Sequence, residues 1–379
     1  MGHESKFKPA SDEAKKFIQD NITIDNLNVV GTLGAWNPES VKEYFTRAQE
    51  NGITAMSLTA AWDPHRLEVL TTYVARMQGL IADMPNVVSV QSTADIENAQ
   101  KNGKLGVMFC TQGSECLDGN PENVGLLSRI GFSSVALIYN LRYQAGDGRY
   151  MADDIGGVGG LTLYGRSVID QLVRHGIPLD FSHLSKPASY DAFEYLQKTA
   201  PEHPIIYSHS SPEAICEYPY RNVTDEEIEM VAKTGGFMAI SIFSIMVAPN
   251  GYGPVTMERV LEIIDHIVKL VGIDHVALGS DDSDDNAVLD SWGASADLYP
   301  DKGWVFERCT YAIENKIPTD VWEPAKTWAA IYDAMKAHGY SDEDCAKLFG
   351  GNTMRVYKQC EQRNRQHDYV PSKLASYMG

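Results

Sequence analysis

Apolar runs and amphipathic stretches alternate along this chain. The apolar runs are Asn21–Val30, Gly52–Thr59, Lys104–Thr111, Ser134–Asn140, Ile177–His183, Pro204–His209, Gly236–Phe243 and His275–Ser280. Most are near-continuous Val, Ile, Leu, Ala and Phe, which is how strands buried on both faces of a parallel sheet read. Between them lie helical patterns: Val41–Asn51, Leu163–His175 closed by Gly176, Thr224–Thr234 with three acidic residues in its first turn, and Met257–Val271 closed by Gly272. Eight strand–helix units in one chain predict a closed (β/α)8 TIM barrel. The competing arrangement is a doubly wound open sheet. It calls for a Gly-rich phosphate turn after an early strand, and Gly31-Thr-Leu-Gly34 matches that poorly.

Beyond the eighth unit, Pro324–Ala337 and Asp342–Leu348 read as helices, with Pro324 in a first turn where a missing N–H costs nothing. The expected organisation is one barrel domain over residues 1–379. Residues 318–379 form a helical extension that packs on the barrel or closes one end. The polar last fifteen residues are expected to reach a partner subunit, in a homodimer or larger homo-oligomer.

Composition narrows the function. With 51 acidic and 32 basic residues the formal net charge is −19, a surface that repels phosphate backbones and excludes nucleic acid as the expected partner. Residues 1–20 lack an apolar signal core, and Lys6 stands where a myristoylation signal needs Ser or Thr. No run of eighteen apolar residues exists. Six Cys (110, 116, 216, 309, 345, 360) show no paired metal spacing and read as reduced thiols, Cys110 and Cys216 as small core residues. The expectation is a cytoplasmic protein with no membrane partner.

Barrel enzymes keep their chemistry at the C-terminal ends of the strands. Here those ends carry Asn26/Leu27, Thr59, Gln112, Tyr139/Asn140, His183, His209, Phe243 and Asp281. Two His end consecutive strands in the same setting, Phe-Ser-His183-Leu-Ser and Tyr-Ser-His209-Ser-Ser, and so point into one mouth, close enough to share a metal. A hydrogen-bonded structural role is the alternative to a shared metal. Asp281 closes the barrel beside the first strand, where a carboxylate binds metal or accepts a proton from water. Its neighbours Asp282, Asp284 and Asp285 read as a solvated loop.

At this level of detail the sequence resembles the renal (membrane) dipeptidase family. Asn102-Gly-Lys-Leu-Gly-Val-Met-Phe-Cys-Thr-Gln112-Gly is similar to the third-strand segment of that family. Gly160-Leu-Thr-Leu-Tyr-Gly-Arg166, Gly176-Ile-Pro-Leu-Asp-Phe-Ser-His183-Leu-Ser, Pro204-Ile-Ile-Tyr-Ser-His209-Ser-Ser and Arg221-Asn-Val-Thr-Asp-Glu-Glu follow in family order. Gly235-Gly236, Leu278-Gly-Ser-Asp281, and Gly351-Asn352 with Arg355 continue the match over roughly residues 20–360. The resemblance implies an amidohydrolase-like barrel with two zinc ions that cleaves dipeptides and related small amides. It makes His183 and His209 ligands of one zinc, Arg221 the holder of the substrate carboxylate, and Asp281 the acid–base group.

The departures change the expected chemistry. Leu27 and Val29 stand where the family carries a His-x-Asp metal pair, Gln112 where it carries a bridging Glu, and Tyr139 where it carries a substrate-binding His. The expected site therefore holds about one Zn²⁺ through His183 and His209, with Gln112 or Asp281 beside them. Asp281 and Tyr139 are the catalytic candidates, and Arg221, Asn140 and Tyr139 the substrate-binding ones. Asp63-Pro-His65 and Glu115 are conceivable replacement ligands, and Trp36, Trp62, Tyr143 and Trp304 a conceivable apolar lining, though each also reads as surface loop or core. The leading expectation is a metal-dependent hydrolase of an amide bond in a small carboxylate-bearing molecule. A lyase or decarboxylase on the same barrel and an inactive binding protein are the alternatives.

Overall fold

The computed structural model describes residues 9–31, 36–151, 159–217, 221–241, 243–248, 255–283 and 323–366. Cys309, Trp304, Asp284, Asp285, residues 32–34 of the glycine turn and residues 367–379 lie outside them.

The eight expected strands form one parallel sheet. They are β1 (Ile24–Asn28), β2 (Ala55–Trp62), β3 (Leu105–Gln112), β4 (Phe132–Ala136), β5 (Leu179–Asp180), β6 (Ile205–Ser210), β7 (Phe237–Ile240) and β8 (Val276–Leu278), each paired with the next. The backbone past β8 returns to β1: Asp281 N–H donates to Leu27 O at 3.0 Å, and Val29 N–H donates to Asp282 O at 2.8 Å. The sheet thus closes into a barrel. A short strand, Val87–Ser89, pairs with the first residues of β3, because β4 joins β3 only from Phe109 onward.

The apolar runs are buried as their composition requires, from Val107 and Phe109 in β3 to Ile205 and Ile206 in β6. β1 departs furthest from an apolar run: Asp25, Asn26 and Asn28 are polar and buried. Buried polar groups need partners, and these have them. Asp25 accepts from Ser280 N–H (2.7 Å) and Ser280 Oγ–H (2.6 Å). Asn26 Nδ2 donates to Leu278 O at 2.8 Å, and Asn28 Nδ2 donates to Tyr44 Oη at 2.8 Å. These side chains sew β1 to β8 where the barrel closes. Burial without a cation raises the Asp25 pKa to about 6.

Helices cover the outside. Leu163–His175 and Met257–Val271 have the expected bounds, and Leu163–His175 ends in Gly176 at φ 61. Thr224 N–H donates to Glu227 Oε2 at 3.0 Å, half of a capping box that opens Asp225–Lys233. Glu227 also receives both terminal nitrogens of Arg149, at 2.7 and 2.9 Å, in a buried ion pair. Pro324–His338 packs on Asp12–Asp20, with Phe17 stacked on Tyr332 and Ser11 donating to Asp333. A further helix, Asn352–Gln366, spans the N-terminal ends of the late strands. Asn352 donates to Ile273 O and Val276 O, Arg355 to Gly235 O and Asp274 O, and Gln359 to Glu202 O. The opposite end of the barrel carries the strand termini singled out above. Among the described residues, no helix is long and apolar enough to cross a membrane.

Candidate active site

His183 follows β5 and His209 lies within β6, and the parallel pairing of these strands brings their rings together. The two Nε2 atoms are 3.0 Å apart and the ring centroids 5.0 Å. Gln112, the last residue of β3, sets Oε1 at 3.0 Å from His183 Nε2, while its Nε2 donates to Thr59 Oγ1 at 3.1 Å. The other ring nitrogens are also engaged: His183 Nδ1 with Asn140 Oδ1, and His209 Nδ1 with Ser208 Oγ, both at 2.7 Å. Burial, with the Arg221 charge adding to it, holds both imidazoles well below the ordinary histidine pKa, so both are neutral.

The backbone is bent to reach this arrangement. His183 has φ 71 and Asp281 φ 55, a left-handed region that only a few per cent of L-residues occupy, Asn, Asp and His more often than the rest.

Arg221 is buried, and among the described residues it donates only to Ser210 Oγ (2.9 Å) and His209 O (2.6 Å). Burial lowers its pKa, and the nearby Asp281 opposes that shift. Asp281 is partly exposed, and no hydrogen bond from the described residues reaches its carboxylate. Desolvation raises its pKa to about 7, against the pull of Arg221. The Tyr139 ring leans on His183, with centroids 4.4 Å apart at 42°.

The structure gathers His183, His209, Gln112, Asn140 and Tyr139 into direct contact. Among the described residues, no three His, Cys, Asp or Glu side chains are grouped to hold a metal ion. Asn140, expected against substrate, is 4% exposed and holds His183. Leu27 and Val29 pack with Cys110 in a small apolar cluster of their own. The positions that would carry a first-strand metal pair are thus filled with hydrocarbon.

The candidate replacement ligands are occupied elsewhere. Asp63 accepts from Glu115 N–H (2.8 Å) and Tyr139 N–H (3.1 Å), tying the loops after β2, β3 and β4 together. A side chain at Gly113 would collide with the Asp63 carboxylate, so this close approach needs glycine. Glu115 pairs with Arg66 and accepts from Gln144 N–H. His65 Nδ1 faces Trp62 N–H at 3.4 Å, and its ring packs on Trp62. Trp36 packs on Tyr73 and Arg76, and Trp62 on His65.

Sequence reasoning missed Asp180 and Ser208, which sit directly behind His209. Asp180 is fully buried; its Oδ1 accepts from Ser182 N–H (2.9 Å) and Ser208 N–H (3.1 Å), and its Oδ2 from Ser208 Oγ–H at 2.5 Å. The available signal was an aspartate inside an apolar strand, Ile-Pro-Leu-Asp-Phe, one strand away from a Ser-His pair.

Comparison with known proteins agrees with this architecture. An uncharacterized protein from the pqqA 5′ region of Klebsiella pneumoniae is 25% identical over 221 residues, covering 57% of this chain and 79% of its own. The crystal structure of an amidohydrolase from Pseudomonas aeruginosa superposes with a TM-score of 0.73 at 24% identity, over 92% of this chain and 98% of that one. A metallopeptidase from Rhodobacter sphaeroides, solved with a phosphinate mimic of the dipeptide L-Ala-D-Ala, superposes with a TM-score of 0.69 at 19% identity, over 89% and 99%. Residues 41–296, most of the barrel and with it both histidines, Gln112, Arg221 and Asp281, match the membrane dipeptidase family, peptidase family M19, and the chain belongs to that family of metallohydrolases.

Proposed function

We propose that this barrel is a mononuclear, zinc-dependent hydrolase of an amide bond in a small, dipeptide-like molecule with a free carboxylate. The observation that carries the reading is the convergence of His183 Nε2, His209 Nε2 and Gln112 Oε1 within 3.0 Å contacts. Asn140 Oδ1 can only accept, so the His183 proton lies on Nδ1 and His183 Nε2 is bare. A bare nitrogen facing two further acceptors suits a cation. The residues present fit one ion: two neutral imidazoles and one neutral amide oxygen, with Leu27 and Val29 leaving no donors for a second.

A divalent cation held there would supply polarisation of the scissile carbonyl and a lowered pKa for the attacking water. The chain's own residues do the rest. Arg221 presents its guanidinium to the substrate carboxylate, for which a fork of N–H donors is suited. Asp281 accepts the proton that the attacking water loses and returns it to the departing amine. Tyr139 walls the pocket over His183 and offers its hydroxyl as a donor to the substrate. Asn140 keeps His183 in the tautomer that leaves Nε2 free.

The test is a panel of dipeptides and N-acyl amino acids, assayed with Zn²⁺-loaded and chelator-treated protein. Zn²⁺-dependent release of an amine from at least one carboxylate-bearing amide is the expected result. No turnover across the panel by protein that binds Zn²⁺ would sink the hydrolase reading.

A further inference from the structure

We propose that Asp180 and Ser208 are positioning residues, which fix His209 with its proton on Nδ1 so that Nε2 turns a lone pair toward His183 and Gln112. The inference rests on the reading that this pair of histidines holds a cation, and it names what prepares the second of them.

The three groups form one buried line: Asp180 Oδ2, Ser208 Oγ and His209 Nδ1, with contacts of 2.5 and 2.7 Å. Asp180, Ser208 and His209 all have no exposed surface. The direction of the hydrogen bonds follows from counting protons. Ser208 has one hydroxyl proton and two acceptors compete for it, the Asp180 carboxylate and His209 Nδ1. A hydrogen bond to a carboxylate is roughly twice as strong as one between neutral groups. The hydroxyl therefore points at Asp180, and its lone pairs are left for His209 Nδ1–H. Ser182 Oγ, at 3.3 Å, is the other neighbour of that oxygen. The opposite arrangement would turn the Ser208 O–H toward a bare His209 Nδ1 and strip Asp180 Oδ2 of its closest donor inside a dry strand pair. It would also give His209 an Nε2–H that satisfies His183 directly and shuts out a cation. Asp180 thus decides, from two groups away, whether the mouth is an acceptor site or a closed imidazole pair. Asn140 does the same for His183 by a single contact, so the two histidines are set by different devices.

Tautomers are read by long-range ¹H–¹⁵N spectra of metal-free, full-length protein labelled with ¹⁵N-histidine, with His209→Gln used to assign the signal. Wild type should show His209 protonated at Nδ1. Ser208→Ala should move it to a mixed or Nε2–H form, and Ser208→Thr, which keeps the hydroxyl, should restore it. An Nε2–H signal in wild type, or an unchanged tautomer in a folded Ser208→Ala, overturns the proposal. The wild-type measurement decides even if Ser208→Ala does not fold.

In a second arm, Zn²⁺ is titrated against a chelating dye. Ser208→Ala and Asp180→Asn should lower Zn²⁺ affinity by roughly 10- to 100-fold, the usual effect of losing such support. Affinities equal to wild type in both variants overturn the proposal. If wild type itself binds no Zn²⁺, the metal reading falls, while the tautomer signal still decides the roles of Asp180 and Ser208.

Discussion

Gln112 turns its amide oxygen toward His183 Nε2 at 3.0 Å, with Thr59 holding the amide nitrogen at 3.1 Å. A neutral oxygen in that place supports a cation without offsetting its charge. Plasma emission on protein purified without chelator should therefore find at most about one zinc per chain, and two tightly held ions would contradict this. Gln112→Glu should tighten zinc binding by about tenfold, since a charged donor replaces a neutral one. The Thr59 hydroxyl can rotate to donate to the new carboxylate, so the fold should tolerate the change.

The apolar cluster of Leu27, Val29 and Cys110 makes a sharper test. Leu27→His with Val29→Asp buries two polar groups among hydrocarbon, which should cost about 2–5 kcal/mol in urea unfolding with chelator present. Adding Gln112→Glu and excess Zn²⁺ should recover part of that loss. A folded triple mutant with no zinc-dependent gain would mean that the β1 backbone no longer places residues 27 and 29 for coordination.

Arg221 and Asp281 should fail in different ways. Arg221→Met keeps the stem but removes a charge-assisted fork worth about 1.5–3 kcal/mol, so kcat/KM should fall by roughly 10- to 150-fold, mostly through KM. Asp281→Asn keeps the shape but removes the proton acceptor, and should lower kcat by about 10²–10⁴-fold with little change in KM. Full kcat in Asp281→Asn would exclude the proposed proton transfer.

Asp63 makes stability depend on pH. Burial pushes its pKa from 3.8 up to about 7. Between about pH 4 and 7 the folded chain holds a proton that the unfolded chain releases, so stability falls as pH rises through that window and the protonated carboxyl's contribution is complete only below it. Urea midpoints measured from pH 4.5 to 7.5 should decline more steeply in wild type than in Asp63→Asn. Parallel slopes would show that Asp63 titrates normally.

Removing one partner of the buried Arg149–Glu227 pair should be costly. Arg149→Met leaves Glu227 desolvated with, among the described residues, only Thr224 to donate to it, and such losses typically run to about 3–5 kcal/mol. A melting temperature near wild type at pH 7 would argue that water reaches Glu227.

The barrel was legible because parallel strands buried on both faces leave continuous apolar runs such as Leu105–Gly-Val-Met-Phe109. Beyond the seam that a closed barrel implies, sequence could not supply the particular side-chain contacts that reach far along the chain. The run Ser134–Asn140 reads as one strand, yet β4 stops at Ala136, because Ser114 Oγ–H claims Leu137 O and Asp63 claims Tyr139 N–H. The strand Val87–Ser89 is too short to announce itself and exists only because β3 has a free edge there. The histidine pair was visible in its two Ser-His contexts. The occupation of Asp63 and Glu115 by neighbouring loops was not, since their partners lie up to 76 residues away. Asp25 and Asn28 gave a polar signal in a buried strand, but Ser280, which answers both, comes from the far side of the barrel seam.

The left-handed backbone at His183 and Asp281 carries a consequence for anyone who evolves this protein in the laboratory. Such conformations cost of order 1–3 kcal/mol in ordinary side chains, and glycine relieves them. A selection that rewarded only heat resistance would drift toward glycine at 281, where no hydrogen bond of the described residues is lost, and would reach glycine at 183 only by giving up the buried contacts with Asn140, Gln112 and His209. The survivors would be sturdier barrels with an empty mouth. Screens for robustness in this scaffold therefore need to score turnover in the same round, or their winners will have discarded side chains on which the proposed chemistry rests.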